Sequence, residues 1–195
     1  MLSRPGRHTA TLLFACTLLT GCQPPAPTPI PTASYRCTPE AGGAEYECTP
    51  HEHDDMVAKD KLYTEAEAVY RRFLAEDERI LRAGGLITPT PVLKETATGA
   101  FLADSLDYYR SLAEEKSRLM GGEVHLVALR RQPGVAKGGS LVALKACIDA
   151  SSARIVIGTK HEGPGRKGSD VLYFGRVGGL LKIQGADGKE GDECG

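Results

Sequence analysis

The sequence predicts an α+β fold in which N-terminal helices pack on a curved antiparallel sheet. Two observations predict it. From about residue 54 to Gly122 apolar residues recur at three- and four-residue spacings, the period of helices with one buried face. After Gly122 the period changes, and short runs rich in Val, Ile and Leu alternate with Gly-rich or Pro-containing turns, the pattern of strands joined by tight connections.

The first segment lies outside that fold. Arg4 and Arg7 precede an apolar run from Thr9 to Thr20. As a helix this run spans roughly 18 Å, too short for a bilayer core of about 30 Å. A basic start, a short apolar middle and small residues at the end form a secretory signal peptide. Leu19-Thr20-Gly21-Cys22 resembles the bacterial lipobox, in which the cysteine is joined to diacylglycerol and becomes the first residue. Residues 1–21 are thus expected to be a lipoprotein signal, with Cys22 the lipid anchor. Two or more acyl chains hold a protein firmly where one does not. Pro24, Pro25, Pro27, Pro29 and Pro31 follow in an uncharged stretch, so 22–35 reads as an extended polyproline stalk of roughly 35 Å. What remains, 36–195, has the size of a single domain, with its core expected at about 56–184.

Within that domain the first helix is expected from Asp54 or Asp55 to Ala83, where Gly84-Gly85 stops it. Leu62, Tyr63, Ala66, Val69, Tyr70, Phe73, Leu74, Ile80 and Leu81 form its apolar stripe. Asp77 interrupts the stripe. A second helix begins after Thr90, which can cap it, with Pro91 in the first turn. Thr98-Gly99 breaks the pattern, and a third helix is expected from Ala100 to about Met120, with Phe101, Tyr108, Leu112 and Leu119 on its buried face. The strand candidates are "EVHLVALRR", "SLVALKACIDAS", "ARIVIGT", "VLYFGRV" and "LLKIQ", the last two joined by a Gly178-Gly179 hairpin turn. Along 141–149, Val142, Leu144, Ala146 and Ile148 should face the helices, which leaves Lys145, Cys147 and Asp149 on the outer face.

Cysteine arithmetic agrees with export. With Cys16 in the signal and Cys22 lipidated, Cys37, Cys48, Cys147 and Cys194 remain, an even number suited to an oxidising compartment. Pro39, Gly42 and Gly43 let a short loop double back, which favours Cys37 with Cys48; Cys147 with Cys194 follows by elimination. No CxxC spacing supports a metal site, and no cofactor motif is present. The chain has 24 basic and 25 acidic residues; without Arg4 and Arg7 the basic count is 22, so the remainder has net charge −3 and no basic patch for nucleic acid.

Other motifs read as structure. "GPGRKG" (163–168) fits GxGxxG, but Pro164 and a following strand make it a solvent loop. "HEHDD" (51–55) offers metal-binding types, yet acids at a helix start favour the dipole without any metal. His125 lacks a readable nucleophile or acid partner, and Lys145 with Asp149 reads as an outer-face charge pair.

The order of elements, with "YTEAEAVYRRFLAEDERILRAGG" as first helix and "LVALKACIDAS" as a central strand, resembles the nuclear transport factor 2-like (SnoaL-like) superfamily over roughly 56–183. It is similar in particular to uncharacterised lipoproteins of Gram-positive bacteria that carry such a domain behind a lipobox and a proline stalk. The resemblance implies a cystatin-like, cone-shaped sheet whose mouth holds a small apolar ligand. Superfamily enzymes place Asp, His or Tyr inside the cone, but no such motif maps onto this chain residue by residue.

Three functions are therefore expected, in this order. The first is an anchored module on the outer face of the cell membrane, binding a small apolar ligand or another envelope protein. The second is an isomerase, dehydratase or hydrolase using a carboxylate in the cone, and the third a structural homodimer joined through the outer sheet face. Tyr63, Tyr70, Asp77 and Tyr108 are the candidate pocket residues. If Asp77 lines a cavity, burial raises its pKa unless Tyr63, Tyr70, Tyr108 or a strand amide donates to it. A slight rotation that carries it to the helix rim beside Arg82 is the simpler expectation.

Overall fold

The structure, a computed structural model, describes residues 34–190. Cys22, the signal and stalk before residue 34, and Cys194 lie outside the described residues. Among those described, no helix is long and apolar enough to cross a membrane. The architecture is α+β, with three helices and antiparallel strands.

A small hairpin, β1 (Tyr35–Cys37) and β2 (Tyr46–Cys48), comes first, and a Cys37–Cys48 disulfide closes it as expected. The long helix α1 then runs Pro50–Ala83. It starts earlier than the apolar stripe implies because Thr49-Pro50-His51-Glu52 is a capping box: Thr49 accepts from the Glu52 amide, and the Glu52 carboxylate accepts from the Thr49 amide at 2.8 Å. "HEHDD" is the first turns of this helix. Its C-terminus falls at Gly84, whose left-handed backbone (φ 86°) turns its N–H onto the carbonyls of Ile80 and Leu81. Gly85 follows at φ 91°, so close to the next helical segment that a β carbon there would lie 2.2 Å from the carbonyl oxygen of Tyr109. Only glycine lets the end of α1 meet that backbone.

Helix α2 (Pro91–Thr96) is capped by Thr90, as read from the sequence. Helix α3 (Gly99–Glu115) ends five residues before Met120. Lys116 adopts φ 56° and sends its N–H to the carbonyls of Leu112 and Ala113, and the chain continues directly as β3 (Ser117–Met120). Leu119 thus packs from a strand and not from a helix. The buried face of α3 is also rotated from expectation: Tyr109 and Leu112 are buried, while Tyr108 is 52% exposed.

The expected single sheet is two. Strands β4 (His125–Arg131), β5 (Val142–Asp149), β8 (Lys167–Val177) and β9 (Leu180–Glu190) form one in the order β4-β5-β8-β9. Strands β3, β6 (Arg154–Ile157) and β7 (Lys160–Pro164) form the other, in the order β3-β6-β7. Gly178 and Gly179, at φ 60° and 82°, make the two-residue turn between β8 and β9 that the sequence announces.

Val142, Leu144 and Ala146 of β5 face the helices and join Tyr63, Tyr70, Phe73, Ile80, Leu93, Leu172, Phe174 and Ile183 in the core, with Ile148 packed at its edge. Each fully buried large apolar side chain contributes about 1.5–3 kcal/mol. The outer face carries Arg130, Lys145 and Asp149. Cys147 lies on that face too, but it is only 4% exposed, set between Ala128 and the buried Ser169 on the neighbouring strands. Its expected pairing with Cys194 falls outside the described residues.

Candidate functional site

Between α1, α3 and both sheets lies a cavity of about 330 Å³. Its walls are mainly apolar, built from Phe73, Leu74, Phe101, Leu112, Ile148 and Leu172. A handful of polar groups converge on it. Volume and lining of this kind are those of small-molecule sites.

Asp77 is the polar group that the helix period makes conspicuous, and it lines the cavity. It does not turn to the rim. Arg82, its expected partner there, instead pairs with Glu78 at 2.7 Å and donates to the carbonyls of Gly121 and Gly122. The Asp77 carboxylate accepts a hydrogen bond from the Tyr109 hydroxyl at 2.6 Å. Desolvation pushes the Asp77 pKa up to about 6 despite that bond, and the charges of Asp170 and Glu78 push the same way. Tyr109, buried and beside Asp77, has its own ionisation strongly raised by desolvation first and by the Asp77 charge second.

Of the four candidates from the sequence, Tyr70, Asp77 and Tyr108 line the cavity together. Tyr70 is buried, and desolvation with the charges of Asp170 and Asp77 raises its hydroxyl. Tyr108 stands at the mouth, half of it open to solvent, with its hydroxyl raised chiefly by desolvation and then by Asp77. Tyr63 does not reach the cavity. Its hydroxyl donates to Glu40 in the disulfide loop at 2.6 Å, and the Arg131 guanidinium lies 4.9 Å from its ring centroid while pairing with Asp60. Two turns of helix separate Tyr63 from Tyr70, enough to carry it past the site to the β1–β2 end of α1.

Sequence reasoning missed Tyr109, Arg166 and Asp170. Tyr109 was masked by its neighbour Tyr108, since adjacent helical residues point about 100° apart and the pattern alone does not say which faces inward. Asp170 lies opposite Ala146 and two residues from Leu172, hence on the inner face of β8, a position readable only from the strand register. Desolvation raises its pKa, and the Arg166 guanidinium, 3.3 Å away, opposes the rise. Arg166 comes from the GPGRKG segment. That segment is the end of β7, a two-residue turn and the start of β8, and Gly165, Arg166 and Gly168 all line the cavity, so it is not a plain solvent loop.

The remaining motifs do not converge. His51 is 3.6 Å from Asp55 and His53 3.7 Å from Asp54, and the His53 ring lies 4.7 Å from that of Tyr35, tilted by 43°. Among the described residues no group of three or more His, Cys, Asp or Glu is arranged to hold a metal. His125 lies 3.5 Å from Glu123 at the surface, away from the cavity.

No family model matches the chain. No curated protein matches it either. Among solved structures, the intermembrane space region of the chloroplast protein ARC6 is similar to this chain with a TM-score of 0.42 and 14% identity, over 65% of this chain and 95% of that one.

Proposed function

We propose that this protein is a lipoprotein anchored through Cys22 to the outer face of the cell membrane, and that its α+β domain, of nuclear transport factor 2-like type with the sheet curled as a cone, binds a small and largely apolar ligand. The observation that carries the ligand-binding reading is the cavity itself, in which apolar walls surround Asp77, Asp170 and Arg166. The lipobox-like end of the signal and the proline stalk support the anchor, and the Cys37–Cys48 disulfide suits an oxidising compartment.

Two experiments test this. Detergent partitioning of the wild type against Cys22→Ser should move the variant from the detergent to the aqueous phase, and identical partitioning sinks the anchor. Native mass spectrometry of the exported protein, followed by a thermal-shift screen of small apolar compounds, should find a ligand that raises the melting temperature. A chain with no bound mass and no stabilising compound argues against the cavity as a binding site.

A specific observation also favours an enzymatic reading. Asp77, with its pKa near 6 and a tyrosine hydroxyl fixing its carboxylate, is suited to general acid or base work on a bound substrate. Turnover of any compound found to bind, falling in Asp77→Asn by far more than its binding weakens, would place catalysis ahead of simple capture. The charged outer sheet face gives a homodimer no comparable support.

A further inference from the structure

The cavity's polar groups define what kind of ligand it suits, an inference that rests on the ligand-binding reading above. Asp77 projects from α1 and Asp170 from the facing strand β8, and both line the same space. The side-chain charges acting on Asp77 are negative, those of Asp170 and Glu78. Glu78 has Arg82 as a partner at 2.7 Å, whereas Asp170 has Arg166 at 3.3 Å, a long contact for a charge-assisted bond. A carboxylate has about four lone-pair positions, and the Tyr109 hydroxyl occupies one of those on Asp77.

The rings of Tyr70, Phe73, Phe101 and Tyr108 line the same cavity as the two acids, with Phe73 and Phe101 5.1 Å apart. Aromatic faces attract cations, and the negative charges of Asp170 and Glu78 acting on Asp77 favour a cation beside its carboxylate. A hard metal ion does not fit, since Ca²⁺ takes six to eight oxygen ligands and these walls are mainly apolar. A free carboxylate beside Asp77 would meet the negative charges of Asp77, Asp170 and Glu78, with Arg166 and Arg118 opposing them.

We propose that the cavity takes an ammonium compound with an apolar body: the cation sits between Asp77 and Asp170 among the rings, and the body lies against Leu74, Ile148 and Leu172. The other charged or titratable groups facing the site are Tyr109 from α3, Arg166 from the β7–β8 turn and the exposed Arg118 from β3 at the rim. The tyrosine ionisations are all raised, so these hydroxyls stay uncharged between pH 5 and 8. Affinity for an ammonium should therefore follow the two aspartates.

The test uses the full chain carrying Cys22→Ser, so that neither lipid nor detergent fills the cavity. Three matched probes are titrated calorimetrically: cyclohexylmethylamine, cyclohexylmethanol and cyclohexanecarboxylate. At pH 8 the amine should bind at least tenfold more tightly than the alcohol, and the carboxylate least. At pH 5, where Asp77 is protonated, the amine should lose most of that advantage while the alcohol changes little. Near pH 6, buffers of different ionisation enthalpy should reveal proton release on binding the amine. Asp77→Asn and Asp170→Asn should each weaken the amine tenfold or more and leave the alcohol within twofold; two sites on separate elements guard against one variant misfolding. An alcohol or carboxylate that binds as well as the amine, or an amine affinity flat from pH 5 to 8, overturns the ammonium proposal while leaving a ligand-binding cavity. Failure of all three probes at both pH values overturns it as well, and calls the cavity's binding role into question.

Discussion

Asp77→Asn keeps the size of the side chain and an oxygen that can accept from Tyr109, but removes the charge. Asp77 ionises at 3.8 in an unperturbed setting and near 6 in the folded chain. The folded state thus holds the proton more tightly than the unfolded one. In that case stability is highest at low pH, falls as pH rises from about 4 to 6, and stays reduced above 6. A gap of two units corresponds to about 3 kcal/mol at 1.36 kcal/mol per unit. Water reaching the carboxylate through the cavity, and the parallel titration of Asp170, lower the expected effect to roughly 1–3 kcal/mol. The variant should therefore be more stable than the wild type at pH 8 by that amount, a rise in melting temperature of roughly 2–10 °C for a domain of this size. About a third of the gain should remain at pH 4.5. Urea denaturation of both proteins at the two pH values gives the difference directly, and comparing them cancels the other carboxylates. A variant that is less stable than the wild type by the same amount at both pH values would refute the reasoning, because its carboxylate would then have served only as a hydrogen-bond acceptor.

Tyr109→Phe removes the donor to Asp77 and should cost on the order of 1–3 kcal/mol at pH 8. The half-exposed Tyr108 should tolerate the same change within about 0.5 kcal/mol, and chemical denaturation of the pair checks both. An NMR titration of Tyr109→Phe should also show the Asp77 carboxyl titrating above its wild-type midpoint, since the lost bond was holding it down. Gly85→Ala places a β carbon 2.2 Å from the Tyr109 carbonyl oxygen and keeps a left-handed backbone, so it should lose about 2 kcal/mol or more, read from its denaturation midpoint. Reducing Cys37–Cys48 should lower stability by up to about 3 kcal/mol, and non-reducing peptide mapping should recover that pair and report whether Cys147 is joined to Cys194.

Local chemistry alone determined where several elements begin and end. Thr90-Pro91 starts α2, Gly84-Gly85 ends α1, Gly178-Gly179 turns β8 into β9, and period-two alternation assigns the inner face of β5. Each of these depends on a few adjacent residues, so a linear sequence displays it. Asp77 was legible for the same reason, as a charge breaking an otherwise apolar stripe. The tertiary structure decided the rest. Ser117–Met120 contains good helix formers and became a strand because it pairs with β6. Lys160–Pro164, with little β propensity, became one by pairing on the other side of β6. The cavity was settled in the same way: the rotation of α3 against α1 chose Tyr109 over Tyr108 as the donor to Asp77, and the register of β8 on β5 brought Asp170 inward with Arg166 beside it. Those choices depend on contacts between residues distant in the chain, where the burial of a whole face outweighs the preference of any one residue within it.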